Sequence, residues 1–365
     1  MDFSFSEDQL AFRDSVRRFL MTEASPELLR DIWASEVGRS TVLFRRIAEH
    51  GLMGLSISEC EGGLGLGDVD WSLMTQELGY YAIPGTVPDT AYLAAAVLSG
   101  LAEDHPVRRT WLRHILEGTC HVAIGHPLNP LVADAHVADL LLMFDPAATD
   151  CVLHAIPRDA VVVTPHRSID VSRRLASVAW NPTPATRLFD GAGAQAQWDD
   201  LLERGALSTS GQLIGLAQRM LDLSVDYAAQ RKQFGKPIGS FQAVKHHLAD
   251  VVTRIEFAKP VLYRAACALA LREPRASALV SHAKLVCAEA AWAAARKGIQ
   301  VHGAMGYTWE VDLQMFMKRA WALNAAWGDR AFHLSRLTDS ILLPQQDKAP
   351  GPLAIGAGAT FTHTP

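Results

Sequence analysis

The stretch "YAAQRKQFGKPIGSFQAVKHHLADV", residues 227–251, joins two strong helical signals. Before it, Leu201–Gln230 reads as one long helical run without a proline. Gly235, Pro237 and Gly239 then break the period within a few residues. After them Phe241, Val244, Leu248, Val251 and Ile255 recur at three- and four-residue steps, the apolar stripe of a second helix. Glu273-Pro274 punctuates again, and Ala276–Val301 reads as a third helix, rich in alanine and buried on several sides. Long helices with short connections predict an up-down helical bundle over residues 195–348.

Working outward, residues 1–117 also read as helical. Ser6 and Gln9 fit a capping box, and Phe12, Val16, Phe19 and Leu20 share one face behind it. Further helices are expected over Thr41–His50, Trp71–Tyr80 and Pro88–Leu101. The loop "ISECEGGLGLGD" (57–68) is glycine-rich, but no strand precedes it to aim N–H groups at a dinucleotide, so it reads as a surface turn. Residues 118–194 differ. "HVAIG", "ADLLLMF", "CVLHAI", "AVVVTP" and "ASVAW" are short β-rich runs broken by Pro, Asp, Asn and Gly, the signature of a small, shortened β-domain. Residues 349–365 carry turn formers without periodicity and read as a mobile tail. The fold class is α+β, mainly α.

The 365 residues carry a formal net charge of -5, which offers no basic field for nucleic acid or an anionic membrane. The N-terminus "MDFSFSEDQL" lacks the basic and apolar regions of a signal peptide, and no apolar run reaches membrane-spanning length. Cys60, Cys120, Cys151, Cys267 and Cys287 are scattered without CxxC spacing, which fits reduced thiols in a cytoplasmic protein and no metal site.

Three motifs carry a family resemblance. Arg231-x-x-Phe234-Gly235 with Gln242 after it resembles the Arg-x-x-Phe-Gly turn and following Gln of the acyl-CoA dehydrogenase family. "GIQVHGAMGYTWE" (298–310) resembles that family's Gln-x-x-Gly-Gly-x-Gly-Tyr/Phe turn, and "GLMGLSISECEGGLGLG" (51–67) resembles its Gly-Gly-x-Gly loop. The chemistry of these residues stands beside the resemblance. A pyrophosphate calls for fixed charge, which Arg231 supplies as a planar fork, and for backbone that approaches closely, which Gly303, Ala304 and Gly306 allow. Gln242 and Gln300 can donate and accept towards ribose or phosphate. The resemblance implies an N-terminal helical domain, a middle β-domain and a C-terminal four-helix bundle. It implies also that Arg231, Gln233, Phe234, Gln242, Gln300, Gly303 and Ala304 reach across an interface to FAD held mainly by a neighbouring chain. Ala304 replaces a family glycine, which its backbone tolerates only at negative φ.

The family reaction needs a carboxylate that removes the α-proton of an acyl-CoA thioester while the β-hydride passes to flavin. Counted from Tyr307, the commoner position for that base is Trp327, with Gly328 matching the family glycine. Counted back from Gly215 and Phe234, the second position is Gly205. Neither can take a proton. Glu203 is the fallback, two residues and about 200° around the helix from Gly205. The family's Thr-Glu-Pro…Gly-Ser and Trp-Ile-Thr/Ser-Asn segments, which cover the flavin, are absent, with His126-Pro127 their nearest trace.

The resemblance therefore implies a non-catalytic subunit that completes the FAD site of a catalytic sister, in an α2β2 acyl-CoA dehydrogenase. The sister would bind most of the acyl-CoA, an electron-transfer protein would accept the electrons, and the motif following Gly303 resembles chains used on steroid or other bulky side chains. A self-sufficient homomeric enzyme using Glu203 or another, unrecognised carboxylate, and a flavin-free scaffold or regulator, are the competing readings.

Overall fold

The computed structural model describes residues 5–85, 87–145, 148 and 150–342, so the expected tail at 349–365 lies outside the described residues. The N-terminal part is helical: α1 (Glu7–Glu23), α2 (Pro26–Ala34), α3 (Thr41–Glu49), α4 (Asp68–Tyr80), α5 (Ala95–Ser99) and α6 (Pro106–Leu116). The capping box forms as read, with Gln9 N–H donating to Ser6 Oγ (3.2 Å) and Ser6 N–H to Gln9 Oε1 (3.0 Å). α5 continues from a π-helical segment, Asp89–Ala94. The glycine-rich loop holds one short 3-10 turn, Glu59–Glu61, and no strand precedes it.

The middle region holds two small sheets. β1 (Val122–Gly125), β3 (Leu140–Phe144), β4 (Val152–Pro157) and β7 (Arg187–Asp190) form one, in the order β1-β3-β4-β7. β2 (Val132–Ala133), β6 (Leu175–Trp180) and β5 (Val161–His166) form the other. β1 and β3 run parallel and every other pair is antiparallel. β3 is buried along its whole length, which is why "LLLMF" shows no alternation. The five β-rich runs become β1, β3, β4, β5 and β6. The two-residue β2 and the partly exposed β7 carried no comparable signal.

α7 (Gly191–Gln230) is the long axis of the C-terminal region and opens inside the stretch the sequence assigns to the β-domain. A hairpin, β8 (Lys232–Gln233) and β9 (Lys236–Pro237), turns the chain into α8 (Gln242–Ala270), followed by α9 (Ala276–His302), α10 (Leu313–Ala325) and α11 (Arg330–Leu342). α7 packs on α4, α8, α9 and α10, so one helix ties the bundle to the N-terminal domain.

The α4–α7 crossing is set by missing side chains. A methyl group on Gly215 would lie 1.9 Å from the carbonyl oxygen of Gln76, and one on Gly79 2.2 Å from that of Gln212. Both obstacles are backbone and cannot swing away. Gly215→Ala is therefore expected to destabilise the chain by about 1–3 kcal/mol, the usual penalty of overpacking. Thermal denaturation checks this; a melting point unchanged from wild type would show that the helices can separate freely.

Candidate functional site

Gly205 and Trp327, the two positions that counting from the motifs assigns to the family's base, lie against each other. Gly205 sits inside α7, and Trp327 occupies the turn between α10 and α11. A methyl group on Gly205 would lie 2.2 Å from Cδ2 of the Trp327 indole, so the ring rests on bare helix backbone. The indole is buried and its ring centroid is 5.4 Å from that of His126. His126 in turn lies 4.5 Å from Trp198 and 5.6 Å from Phe144. The trace His126-Pro127 thus contributes an aromatic wall.

Trp327 is a turn residue, not part of a helix, with φ of 55°, and Gly328 follows at 95°. Several groups hold this backbone in place. Trp327 N–H donates to Asn129 Oδ1 (2.9 Å), and its carbonyl accepts from His333 Nε2 (2.8 Å), leaving His333 Nδ1 to accept from Ser281 Oγ (3.1 Å). The buried Lys284 ammonium spends its three protons on the carbonyls of Leu323 (3.1 Å), Asn324 (2.9 Å) and Gly328 (3.4 Å). Burial pushes the Lys284 pKa down to about 7. Burial likewise pushes His126 and His333 down to about 4, so both are neutral at pH 7.

Beside the indole a cavity of about 50 Å³ remains, lined by all three parts of the chain. That is room for about one or two water molecules. Charged side chains close it. Arg39 grips both oxygens of Asp134 through Nε and Nη2, with Nε to Oδ2 at 2.8 Å, and its Nη1 donates to the Ser172 carbonyl (2.8 Å). Arg319 donates to the Ala82 carbonyl and to Ser172 Oγ, each at 3.2 Å. Arg173 donates to the Ala322 carbonyl (2.9 Å). Desolvation lifts the Asp89 carboxyl to about 7, with Arg173 opposing the shift. Five non-glycine residues among those described have positive φ, and three of them, Ala82, Asp134 and Trp327, border this junction. Backbone strain of this kind persists where the surroundings over-determine it.

Glu203 is turned elsewhere. Its Oε1 accepts from Ser277 Oγ (2.7 Å) and pairs with Arg336, on α9 and α11. Its other oxygen is buried without a hydrogen-bond partner. The junction's charges were not foreseen, because Arg39, Asp134, Ser172 and Arg319 are far apart in sequence and no motif links them.

The seven expected cofactor contacts lie at the other end of the bundle. Tyr227, at the end of α7, stacks on His302, at the end of α9, with ring centroids 4.3 Å apart, which ties the Arg231 turn to the glycine turn. Arg231, Gln233, Phe234, Gln242, Gln300, Gly303 and Ala304 are all exposed. The Arg231 guanidinium meets no hydrogen-bond or ion-pair partner among the described residues. Phe234 is 91% exposed at φ 53° in the β8–β9 turn. Gly303 has φ of 60° with nothing within 4 Å of where a side chain would begin, whereas Ala304 is not among the positive-φ residues, as its methyl requires. Among the described residues no cluster of metal-ligating side chains occurs, and no helix is long and apolar enough to cross a membrane.

Comparison with known proteins adds the family context. The acyl-CoA dehydrogenase N-terminal domain matches residues 6–119 and the acyl-CoA dehydrogenase C-terminal domain residues 191–342. The acyl-CoA dehydrogenase IpdE2 of Mycolicibacterium smegmatis is 33% identical over 318 residues, covering 86% of this chain and 93% of that protein. Among solved structures, the ChsE4-ChsE5 complex from Mycobacterium tuberculosis superposes with a TM-score of 0.84 at 22% identity, over 93% of this chain and 98% of that one. The Tcur3481-Tcur3483 steroid ACAD gives 0.80 at 21% identity, over 91% and 97%. These two likenesses bear on the fold.

Two measurements probe the closed junction. Trp327→Ala should cost about 3–5 kcal/mol of stability, and Gly205→Ala about 1–3 kcal/mol through its clash with the ring. The double variant should be less destabilised than the sum, by about 0.5–3 kcal/mol; strict additivity in urea titrations would mean the ring does not rest on Gly205. The buried histidines give the second. Between pH 6.5 and 4 the unfolded chain binds protons that folded His126 and His333 refuse, so stability is lost as pH falls through that window. At pH 4 the loss is on the order of 3 kcal/mol for each. The His126→Gln/His333→Gln variant should show a shallower loss over the same window; an unchanged profile would exclude these two as its source.

Proposed function

This chain belongs to the acyl-CoA dehydrogenase family, and we propose that it acts as the subunit that completes the FAD site of a catalytic sister chain. The observation that carries the reading is the contact of Trp327 with Gly205. Where one of two positions should hold a carboxylate, one has no side chain and the other fills the space with an indole.

The fit of FAD differs at the two ends of the molecule. At the chain's own junction the aromatic wall, the buried ion pair and a cavity of about 50 Å³ leave no place for a flavin ring, and no step of the reaction is assigned there. At the exposed end the residues fit a diphosphate. Arg231 is charged and without a partner, Gln242 and Gln300 can donate and accept, and the turn at Gly303 is open. These would hold and orient a flavin whose reactive ring belongs to the sister's site. Bound flavin supplies the hydride acceptor. The α-proton goes to the sister's carboxylate, since this chain's nearest candidate, Glu203, is paired with Arg336. Oxidation of a CoA thioester with a bulky, steroid-like acyl group by an α2β2 assembly is the specific form favoured. It is supported by the similarity to the steroid ACAD and to the ChsE4-ChsE5 complex, both of which pair two different chains.

The chain purified alone should be colourless, and should carry FAD only when co-purified with its sister. In that complex Arg231→Ala should weaken FAD binding by about 1.5–3 kcal/mol, the worth of a charge-assisted contact, with activity recovered by excess FAD. A chain that by itself is stoichiometrically yellow and dehydrogenates an acyl-CoA would instead establish a self-sufficient enzyme.

A further inference from the structure

The outer face of α9 is uncovered from Leu285 to Gln300. α8 stands on one side and the α10–α11 turn with α11 on the other, so that α9 floors a trench of about 810 Å³. At 1.5 Å per residue it runs for roughly 22 Å. The middle of its floor is apolar: Ala288, Trp292 and Ala293. Trp292 is 47% exposed although its ring centroid lies 5.8 Å from that of Trp321. The rims are charged. Lys297 donates to His247 Nδ1 (2.8 Å), and Arg330 pairs with Glu289 (3.3 Å). Arg254 and Arg296 meet no hydrogen-bond or ion-pair partner among the described residues.

We propose that this trench seats a helix of the sister subunit, apolar along the facing stripe and carrying carboxylates opposite Arg254 and Arg296. The inference rests on the half-site reading above and deepens it by placing the docking surface. Three features select the occupant. The length and the apolar floor match about four turns of helix, and a half-exposed tryptophan amid small residues is the anchor such a helix needs. Asp250 lies 3.9 Å from Lys297 and Asp329 accepts from the Phe332 N–H, so the two lining charges left with no partner among the described residues, Arg254 and Arg296, are positive, which favours an acidic partner. Gln300 closes one end of the trench and belongs to the half-site, so the chain lying in the trench also lies beside the flavin. A second copy of this chain would bring a closed junction to Gln300 and no flavin.

The test co-expresses the full chain with the acyl-CoA dehydrogenase chain of the same genome that carries glutamate at the position of Trp327. Trp292→Glu and Arg254→Glu/Arg296→Glu are compared with wild type by sedimentation and flavin absorbance, with Arg231→Ala as control. The expected result is that both trench variants fold as wild type but associate about thirtyfold or more weakly, whereas Arg231→Ala keeps the heteromer and loses flavin. A heteromer that forms equally well with both trench variants overturns the docking surface and leaves the half-site reading intact. Wild-type self-association abolished by Trp292→Glu would show a second copy in the trench and overturn the inference. Failure of the wild-type chain to form any heteromer would overturn the half-site reading, and this inference with it.

Discussion

The junction of the three domains depends on an aromatic ring lying on bare backbone. Gly205 lets the Trp327 indole reach the α7 backbone, and any side chain there would push the ring out. The ring then closes the space between bundle and β-domain, with His126, Trp198 and Phe144 packed behind it in tilted and edge-to-face contacts. Aromatic burial of this kind is strongly stabilising, whereas a lone carboxylate in the same dry place would be costly. The junction is therefore built for stability.

What holds the indole is as specific as the ring itself. The turn at Trp327 and Gly328 needs two consecutive positive φ values, one of them on a bulky residue. Lys284 gathers the carbonyls left at the end of α10, His333 takes the carbonyl of Trp327, and Asn129 reaches over from the β-domain to its N–H. Around the cavity, Arg39–Asp134 and Arg319–Ser172 join residues from different domains. Buried ion pairs contribute little net stability compared with apolar packing, but breaking one is expensive. Such a junction resists opening.

The long helices and most strands were legible because their signals are local. Periodicity placed α7, α8 and α9, a capping box opened α1, and turn residues separated β1, β3, β4, β5 and β6. β2 is too short to have a pattern, and the opening of α7 was hidden because "GAGAQAQ" has no apolar stripe. At the site, counting from motifs identified Trp327 and Gly205, yet gave no hint that they touch. Contact between residues more than a hundred positions apart is a product of packing. The same holds for the junction's charges, which come singly from loops and helices of three domains.

The strained residues separate the two ends of the molecule. At the junction, the cost of positive φ at Ala82, Asp134 and Trp327 is offset by burial and hydrogen bonds within the chain. Phe234 has no such offset. It holds φ of 53°, which costs a side-chain-bearing residue about 1–2 kcal/mol, and 91% of it remains in water. Folding of this chain alone gives nothing in return for either. Arg231 beside it is charged and unpaired, and Gly303 turns through an open space. A flavin-free scaffold has no use for that combination. Docking of the proposed sister chain and its flavin would bury the ring, pair the charge and offset the strained turn.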